Sequence, residues 1–201
     1  MTTARDELRS RLRAEREQLG AAQRIAAASG VAATLEQLPE FMIDGRVAGY
    51  WAVGGEVPLH VALTALLARG QTWHLPVLSG ARVLQFAPWR PGAAVAPNRY
   101  GIPEPQVETA DLLAPDALEL VLVPLLGFDR RGHRLGTGGG YYDRSFSFLA
   151  ERERPAQPVL VGIGYSFQEI PALPDQHWDV RMDFIATERE LIDCNAEAGN
   201  R

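Results

Sequence analysis

The chain is expected to fold as an α/β protein, a three-layer α/β/α sandwich around a mainly parallel sheet. Three observations lead there. From residue 46 onward, short apolar runs alternate with segments of helical periodicity, the pattern of strands joined through helices. The runs are rich in branched residues and closed by glycine or proline, as in Leu118 to Val123 (LELVLV) before Pro124 and in Pro158 to Gly164 (PVLVGIG), which suits strands buried on both faces. Two helical segments precede the first strand, so they must dock on a sheet made by later residues. With 201 residues, 46% of them hydrophobic, the chain fits one domain over 1–201, large enough to bury a core without disulfides or structural metal.

In order, residues 5 to 19 place Leu8, Leu12 and Leu19 at helical spacing among Arg and Glu, an amphipathic helix most of whose charges form a solvated face with i,i+4 pairs. A second helix over about Gln23 to Leu38 has Ile25, Ala28, Ala32, Leu35 and Leu38 as its inner stripe and Pro39 as its stop. The two helices occupy about 5–38 and the α/β core about 46–190. Residues 46 to 53 (RVAGYWAV) read as the first strand, then Gly54-Gly55-Glu56 and a helix from Pro58 with Leu59, Leu63, Leu66 and Leu67 on one face. In such β-loop-α units the ligand crevice lies at the carboxyl ends of the strands, which makes Glu56 a candidate contact for a polar substrate; capping the helix start is the commoner fate of such a residue. Thr72 to Leu75 is a strand ended by Pro76, and residues 82 to 87 (RVLQFA) alternate as a further, antiparallel strand. Residues 88 to 117, rich in Pro, Gly and Ala, read as a long surface connection of the kind that forms lids and binding loops. After Pro158 to Gly164, Met182 to Ala186 is the final strand and 191–201 a short polar tail.

Composition excludes several classes. The net charge of −5 argues against nucleic acid as a bulk partner. No apolar stretch approaches the roughly 18 residues needed to span a bilayer, and the start is a charged helix rather than a signal peptide, so the expected location is cytoplasmic. The single Cys194 fits a reducing compartment and is a poor nucleophile candidate. All 20 basic residues are arginine, which rules out Schiff-base chemistry and Ser-Lys pairs. His60, His74, His133 and His177 lack metal-ligand spacing, and Gly164-Tyr165-Ser166-Phe167-Gln168 lacks the last glycine of a nucleophile elbow.

The chemistry concentrates in Pro124 to Arg144 (PLLGFDRRGHRLGTGGGYYDR). Gly136, Gly138, Gly139 and Gly140 allow positive φ and a close approach of the backbone to a ligand, so that successive N–H groups converge on an anion. YYDRSFSFL follows as the start of a helix, and Arg131, Arg134 and Arg144 add full charges. Asp129 and Asp143 stand among them, and a carboxylate beside phosphate is the usual means of holding magnesium. Taken alone, a glycine-rich stretch is more often a flexible turn. A Walker loop is excluded because no lysine follows the glycines, and a dinucleotide fingerprint because roughly a dozen residues separate strand and glycines. Polyphosphate with metal, bound by another architecture, is the sharper reading.

The segment Gly132 to Arg144 (GHRLGTGGGYYDR) resembles the signature of 5-formyltetrahydrofolate cyclo-ligases, also called methenyltetrahydrofolate synthetases. So do the basic opening helix, Trp51 through Glu56, Tyr100-Gly101-Ile102-Pro103-Glu104-Pro105 (the family's Y-G-I-x-E-P loop), Val161 to Gln168, and the blocks Trp178 to Asp183 and Ile185 to Glu188, in order along nearly the full length. The resemblance implies a fold similar to the NagB/RpiA/CoA-transferase group and an ATP- and Mg²⁺-dependent closure of 5-formyltetrahydrofolate to 5,10-methenyltetrahydrofolate through a phosphorylated formyl (iminophosphate) intermediate, with release of ADP and phosphate. It implies that Arg134, Leu135, Gly136, Thr137, Gly138, Gly139, Gly140, Tyr141 and Tyr142 hold ATP together with Arg5 and Arg9. Thr137 to Tyr141 also border the folate, with Glu56 hydrogen-bonding the pterin and Trp51 flanking it. Arg134, Tyr141 and Asp143 are the implied catalytic group, and Asp143 and Asp183 the metal ligands. Arg5 departs from the family's usual lysine, keeping the charge but not the compact ammonium; Gly139 stands where some members carry lysine. The protein is expected to act on its small-molecule substrate as a monomer. The competing readings are a non-catalytic nucleotide- or folate-binding relative, and a phosphosugar isomerase or CoA-transferase on a similar scaffold using Glu56 as its carboxylate.

Overall fold

The computed structural model describes residues 4–80, 82–152, 156–174 and 176–196. Among them, helices α1 (Ala4–Glu17), α2 (Ala21–Leu35) and α3 (Pro39–Ile43) precede β1 (Arg46–Ala48), α4 (His60–Ala68), β2 (Thr72–Ser79), β3 (Val83–Pro88) and the short pair β4 (Val95–Pro97) and β5 (Pro103–Pro105). There follow β6 (Leu120–Pro124), β7 (Gly127–Phe128), β8 (Arg134–Leu135), α5 (Tyr141–Ser145), β9 (Val159–Ile163), β10 (Phe184–Ala186) and β11 (Leu191–Asp193).

Seven strands form the central sheet in the order β11-β10-β9-β6-β1-β2-β3. The five inner strands run parallel, and β3 and β11 close the two edges antiparallel. Alternation along the inner strands divides the core. Leu120 and Leu122 of β6 and Val161 of β9 join Val47 and Trp73 under α2, α3 and α4, while Val121 and Val123 join Ala48, Leu160, Phe86 and Phe146 on the face covered by α5. Helices therefore cover both faces, as expected for an α/β sandwich, although α5 makes the second layer thin. Among the described residues no helix is long and apolar enough to cross a membrane.

Several expectations shift. β1 ends at Ala48, so Tyr50 to Val53 form an irregular strand end rather than strand. Pro76 does not end β2, which runs on to Ser79. The reason is that β1 has stopped beside His74, while Phe86, opposite Pro76, exchanges its backbone hydrogen bonds with Leu113 instead; no ladder partner needs a proline N–H. Residues 88 to 117 are not a bare connection, because they contain the β4–β5 pair and Leu113, which bridges to Phe86 of β3. Ile25 is exposed, and Val31 takes its place in the stripe of α2. Helix α1 packs Leu12 with Leu126, Leu135, Ile170 and Leu173 at the end of the sheet, not on its face. The expected tail contains the edge strand β11, and Cys194 just after it is buried, its thiol pushed up to about 12 by burial.

Candidate active site

β1 lies between β2 and β6, and the chain leaves β1 through α4 toward one sheet edge and leaves β6 toward the other. Ligands of open α/β sheets bind at the carboxyl ends of strands where connections diverge in this way. A cavity of about 900 Å³ opens there, bordered by Tyr50, Trp51, Val53 and Glu56 after β1, Pro76 and Leu78 of β2, Pro124 at the end of β6 and Leu125 after it.

The glycine segment crosses this cavity because both of its ends are fixed. Upstream, β7 and β8 form a hairpin, and Asp129, fully buried, ties its turn. The carboxylate accepts the N–H groups of Arg131 (3.0 Å) and His133 (3.1 Å), pairs with the Arg131 guanidinium (2.9 Å) and the His133 ring (3.0 Å), and accepts the Leu173 N–H (3.1 Å). Asp129 is thus the knot of the hairpin and not a residue of the cavity. Downstream, the Ser145 hydroxyl donates to the Tyr141 carbonyl (2.7 Å) and accepts the Leu84 N–H (2.8 Å), locking α5 to β3. Gly140 turns the chain into α5 with φ +66°, where a Cβ would stand 2.9 Å from the Arg144 Nη1 that binds the Gly139 carbonyl. Gly136 makes room for the Arg134 guanidinium, since a Cβ there would lie 2.9 Å from its Nη1. With five residues, α5 carries little dipole, so the positive character of the loop rests on arginines.

Arg134, nearly buried, donates to Asp143 Oδ1 (2.8 Å) and lies 5.5 Å from the Tyr142 ring centre. Its Nε is buried without a hydrogen-bond partner, as is that of Arg5. Arg5 pairs with Asp179 (2.7 Å) and Arg9 holds the Gly136 carbonyl (3.0 Å), so α1 forms the wall beside the glycines. On the far side the Asn98 carboxamide oxygen accepts the N–H groups of Tyr100 and Ile102, and its nitrogen donates to Glu104, which also accepts the Leu78 N–H. This brings Tyr100 to the Tyr141 hydroxyl (2.9 Å), which Arg99 also reaches (2.5 Å); these bonds hold the Tyr141 phenol below its ordinary pKa. At the end of β1, Glu56 accepts the Val53 N–H through Oε2 (3.1 Å), and burial, opposed by that bond and by Arg16, pushes its carboxyl upward. Trp51 meets Trp89 edge to face at 5.0 Å, with its indole N–H unpartnered.

The family model for 5-formyltetrahydrofolate cyclo-ligases matches residues 1–188. The chain belongs to this family. A 5-formyltetrahydrofolate cyclo-ligase of Haemophilus influenzae is 30% identical over 181 residues, 89% of this chain and 95% of that one. The enzyme of the same name from Escherichia coli K12 is 31% identical over 151 residues, 74% and 81% of the two chains. The NMR structure of Aquifex aeolicus 5,10-methenyltetrahydrofolate synthetase superimposes with a TM-score of 0.79 at 30% identity, covering 96% of this chain and 93% of that one. The Mycoplasma pneumoniae synthetase, at 23% identity and a TM-score of 0.71, shares the fold.

In this cyclo-ligase family member one cavity gathers Arg5, Arg9, Trp51, Glu56, Arg134 and Gly136 through Asp143. Two expected site residues lie elsewhere. Leu135 points into the core with Leu12 and Leu126, as the inward residue of β8 must. Asp183 is almost fully buried outside the cavity lining, and its carboxylate accepts the Leu160 N–H (2.8 Å), joining the segment before β10 to β9. Asn98, Tyr100 and Glu104 are cavity residues that went unassigned, although the Y-G-I-x-E-P resemblance had marked their loop. Arg16, outside the cavity lining, is buried at a position where the Leu8–Leu12 stripe calls for an apolar residue.

Proposed function

We propose that the protein converts 5-formyltetrahydrofolate to 5,10-methenyltetrahydrofolate at the expense of ATP with Mg²⁺, releasing ADP and phosphate. The observation that carries this reading is the sharing of one cavity by two unlike sites: a buried carboxylate flanked by an indole at the end of β1, and a glycine loop flanked by arginines. Glu56 suits the adjacent N–H donors of a pterin, and Trp51, whose indole N–H is unpartnered, lines the same cavity. The unpartnered Nε atoms of Arg5 and Arg134 suit phosphate oxygens.

The formyl oxygen is a poor leaving group. In the proposed reaction it bonds to the γ-phosphorus of ATP while the bond to ADP breaks. N10 of the folate then attacks the formyl carbon and loses its proton, and phosphate departs with the former formyl oxygen. This chemistry asks the protein for positioning and charge neutralisation more than for a covalent group. Arg134 and Arg5 offer charge, the backbone of Thr137 to Gly140 offers N–H groups, and Arg9 anchors the loop through Gly136. Both bonds that Asp143 accepts, from Arg134 and from the Val180 N–H (3.4 Å), fall on Oδ1. Among the described residues no group of three or more His, Cys, Asp or Glu is placed to hold a metal by itself, which suits magnesium taken by Asp143 together with substrate phosphates. Bound there, magnesium would neutralise charge developing on the phosphate oxygens.

The test is to mix purified protein with 5-formyltetrahydrofolate, ATP and Mg²⁺ and follow methenyl-folate absorbance, with ADP measured in parallel. Equal amounts of the two products are expected, and folded protein that yields no methenyl product overturns the assignment. Glu56→Gln is expected to raise the KM for 5-formyltetrahydrofolate by about 10- to 100-fold, the value of a hydrogen bond to a charged group, and to leave the KM for ATP unchanged.

A further inference from the structure

Along one face of α1 the sequence places Leu8, Leu12 and Arg16 at i, i+4 spacing. Leu12 is buried as that stripe requires, and Arg16 is buried with it at 3% exposure. A guanidinium is costly to desolvate and a long side chain ordinarily carries it out to water, so its retention here calls for a reason. Arg16 lies under the turn that carries Glu56. A Cβ at Gly54 would stand 3.4 Å from its Nη2, and one at Gly55 would stand 3.3 Å from its Cγ. Its Nη1 reaches the Leu125 carbonyl at the end of β6 (3.5 Å), and its Nε has no hydrogen-bond partner. The Tyr165 hydroxyl fastens the same turn from β9 by donating to the Gly55 carbonyl (3.0 Å).

We propose that Arg16 is a positioning residue for the folate half of the site: it braces the Gly54–Glu56 turn against the end of β6 and so presents the Glu56 carboxylate to the cavity. The proposal rests on the reading of Glu56 as the residue that receives the pterin. The charged and titratable groups around Glu56 and its turn are Arg16 from α1, Arg24 from α2, whose Nη2 lies 3.4 Å from where a Gly55 Cβ would stand, Tyr50 after β1, Tyr142 from α5 and Tyr165 after β9. Burial raises all three phenols above their ordinary range, so they stay neutral at neutral pH. Of the two arginines, Arg16 is the one whose charge acts on Glu56 and offsets its burial. A charged carboxylate accepts hydrogen bonds at both oxygens, whereas a protonated one turns an acceptor into a donor and receives paired N–H groups poorly.

The sign of the pH dependence follows. Glu56 is already raised by burial, and removing the cation raises it further, so the variant takes up its proton at higher pH than the unsubstituted protein does. The test measures the Kd of 5-formyltetrahydrofolate and of ATP by calorimetry, each alone, across pH 6 to 8.5. Arg16→Met is expected to weaken folate binding about tenfold at the acid end of this range, with the loss shrinking as pH rises. ATP binding stays unchanged, Arg16→Lys restores most of the folate affinity, and Arg16→Met adds no loss in a Glu56→Gln background. Arg16→Gln, which keeps a donor for Leu125 and loses the charge, gives the same profile and decides the matter if the methionine variant does not fold. A loss that is constant with pH, that falls equally on ATP, or that adds to Glu56→Gln makes Arg16 a packing residue and overturns the proposal. If Glu56→Gln alone leaves folate affinity intact, the reading of Glu56 is what failed, and the role of Arg16 falls with it.

Discussion

Asp143→Asn is expected to lower kcat/KM by about 10²- to 10³-fold, the scale at which one element of preorganised charge stabilisation is lost. The substitution keeps the shape of the side chain and an acceptor for Arg134, so the 2.8 Å contact and the fold survive. It removes the negative charge that a magnesium ion requires and leaves the nearly buried Arg134 without its counter-ion. Apparent affinity for Mg²⁺, read from activity against Mg²⁺ concentration, is expected to fall with it. Unchanged thermal unfolding alongside lost activity supports the assignment. Loss of folding with full activity in the surviving folded fraction would make Asp143 structural.

The largest effect on stability is expected at Asp129, a carboxylate of no measurable exposure with five bonds to the hairpin turn and to Leu173. Burial alone would raise its pKa, but the Leu173 N–H, the His133 ring and the Arg131 guanidinium outweigh it and hold the carboxyl below its usual range. A group depressed in the folded state contributes stability that is present above its unfolded pKa of about 3.9 and lost as pH falls through its lower folded value. Asp129→Ala is expected to cost about 3 kcal/mol at neutral pH, because it strips buried donors of their acceptor. Chemical denaturation measures this, and the acid limb of stability against pH should flatten in the variant. The damage should also reach the cavity, since Leu173 leads into the wall formed by Pro174, Gln176 and Asp179, where Arg5 binds.

Why some of this was legible in the sequence and some was not follows from the forces involved. Buried parallel strands such as Leu120–Pro124 and Val159–Ile163 announce themselves, since both faces demand apolar branched residues. The glycine segment was legible for a similar reason, as few environments other than close approach or tight turning call for such a run. Pro76 misled because a proline breaks a strand only where a partner needs its N–H, and the early end of β1 is a tertiary fact. Leu135 and Asp183 misled in another way. Neighbours in sequence share a motif but point to opposite sides of a strand, so Arg134 faces the cavity while Leu135 enters the core. Asp183 is close in chain to cavity residue Asp179 yet is turned to the Leu160 N–H. Arg16 looked like one more solvated charge on an arginine-rich helix, and only the packing of Gly54 and Gly55 over it shows otherwise.

Oxygen transfer from the formyl group to phosphate tests the central claim, activation of the formyl oxygen by phosphorylation in this cavity. With 5-formyltetrahydrofolate labelled with ¹⁸O at the formyl oxygen, turnover in unlabelled water is expected to place one labelled oxygen in each inorganic phosphate released, read by mass spectrometry. Unlabelled phosphate from labelled substrate, with oxygen taken from water instead, would contradict the account.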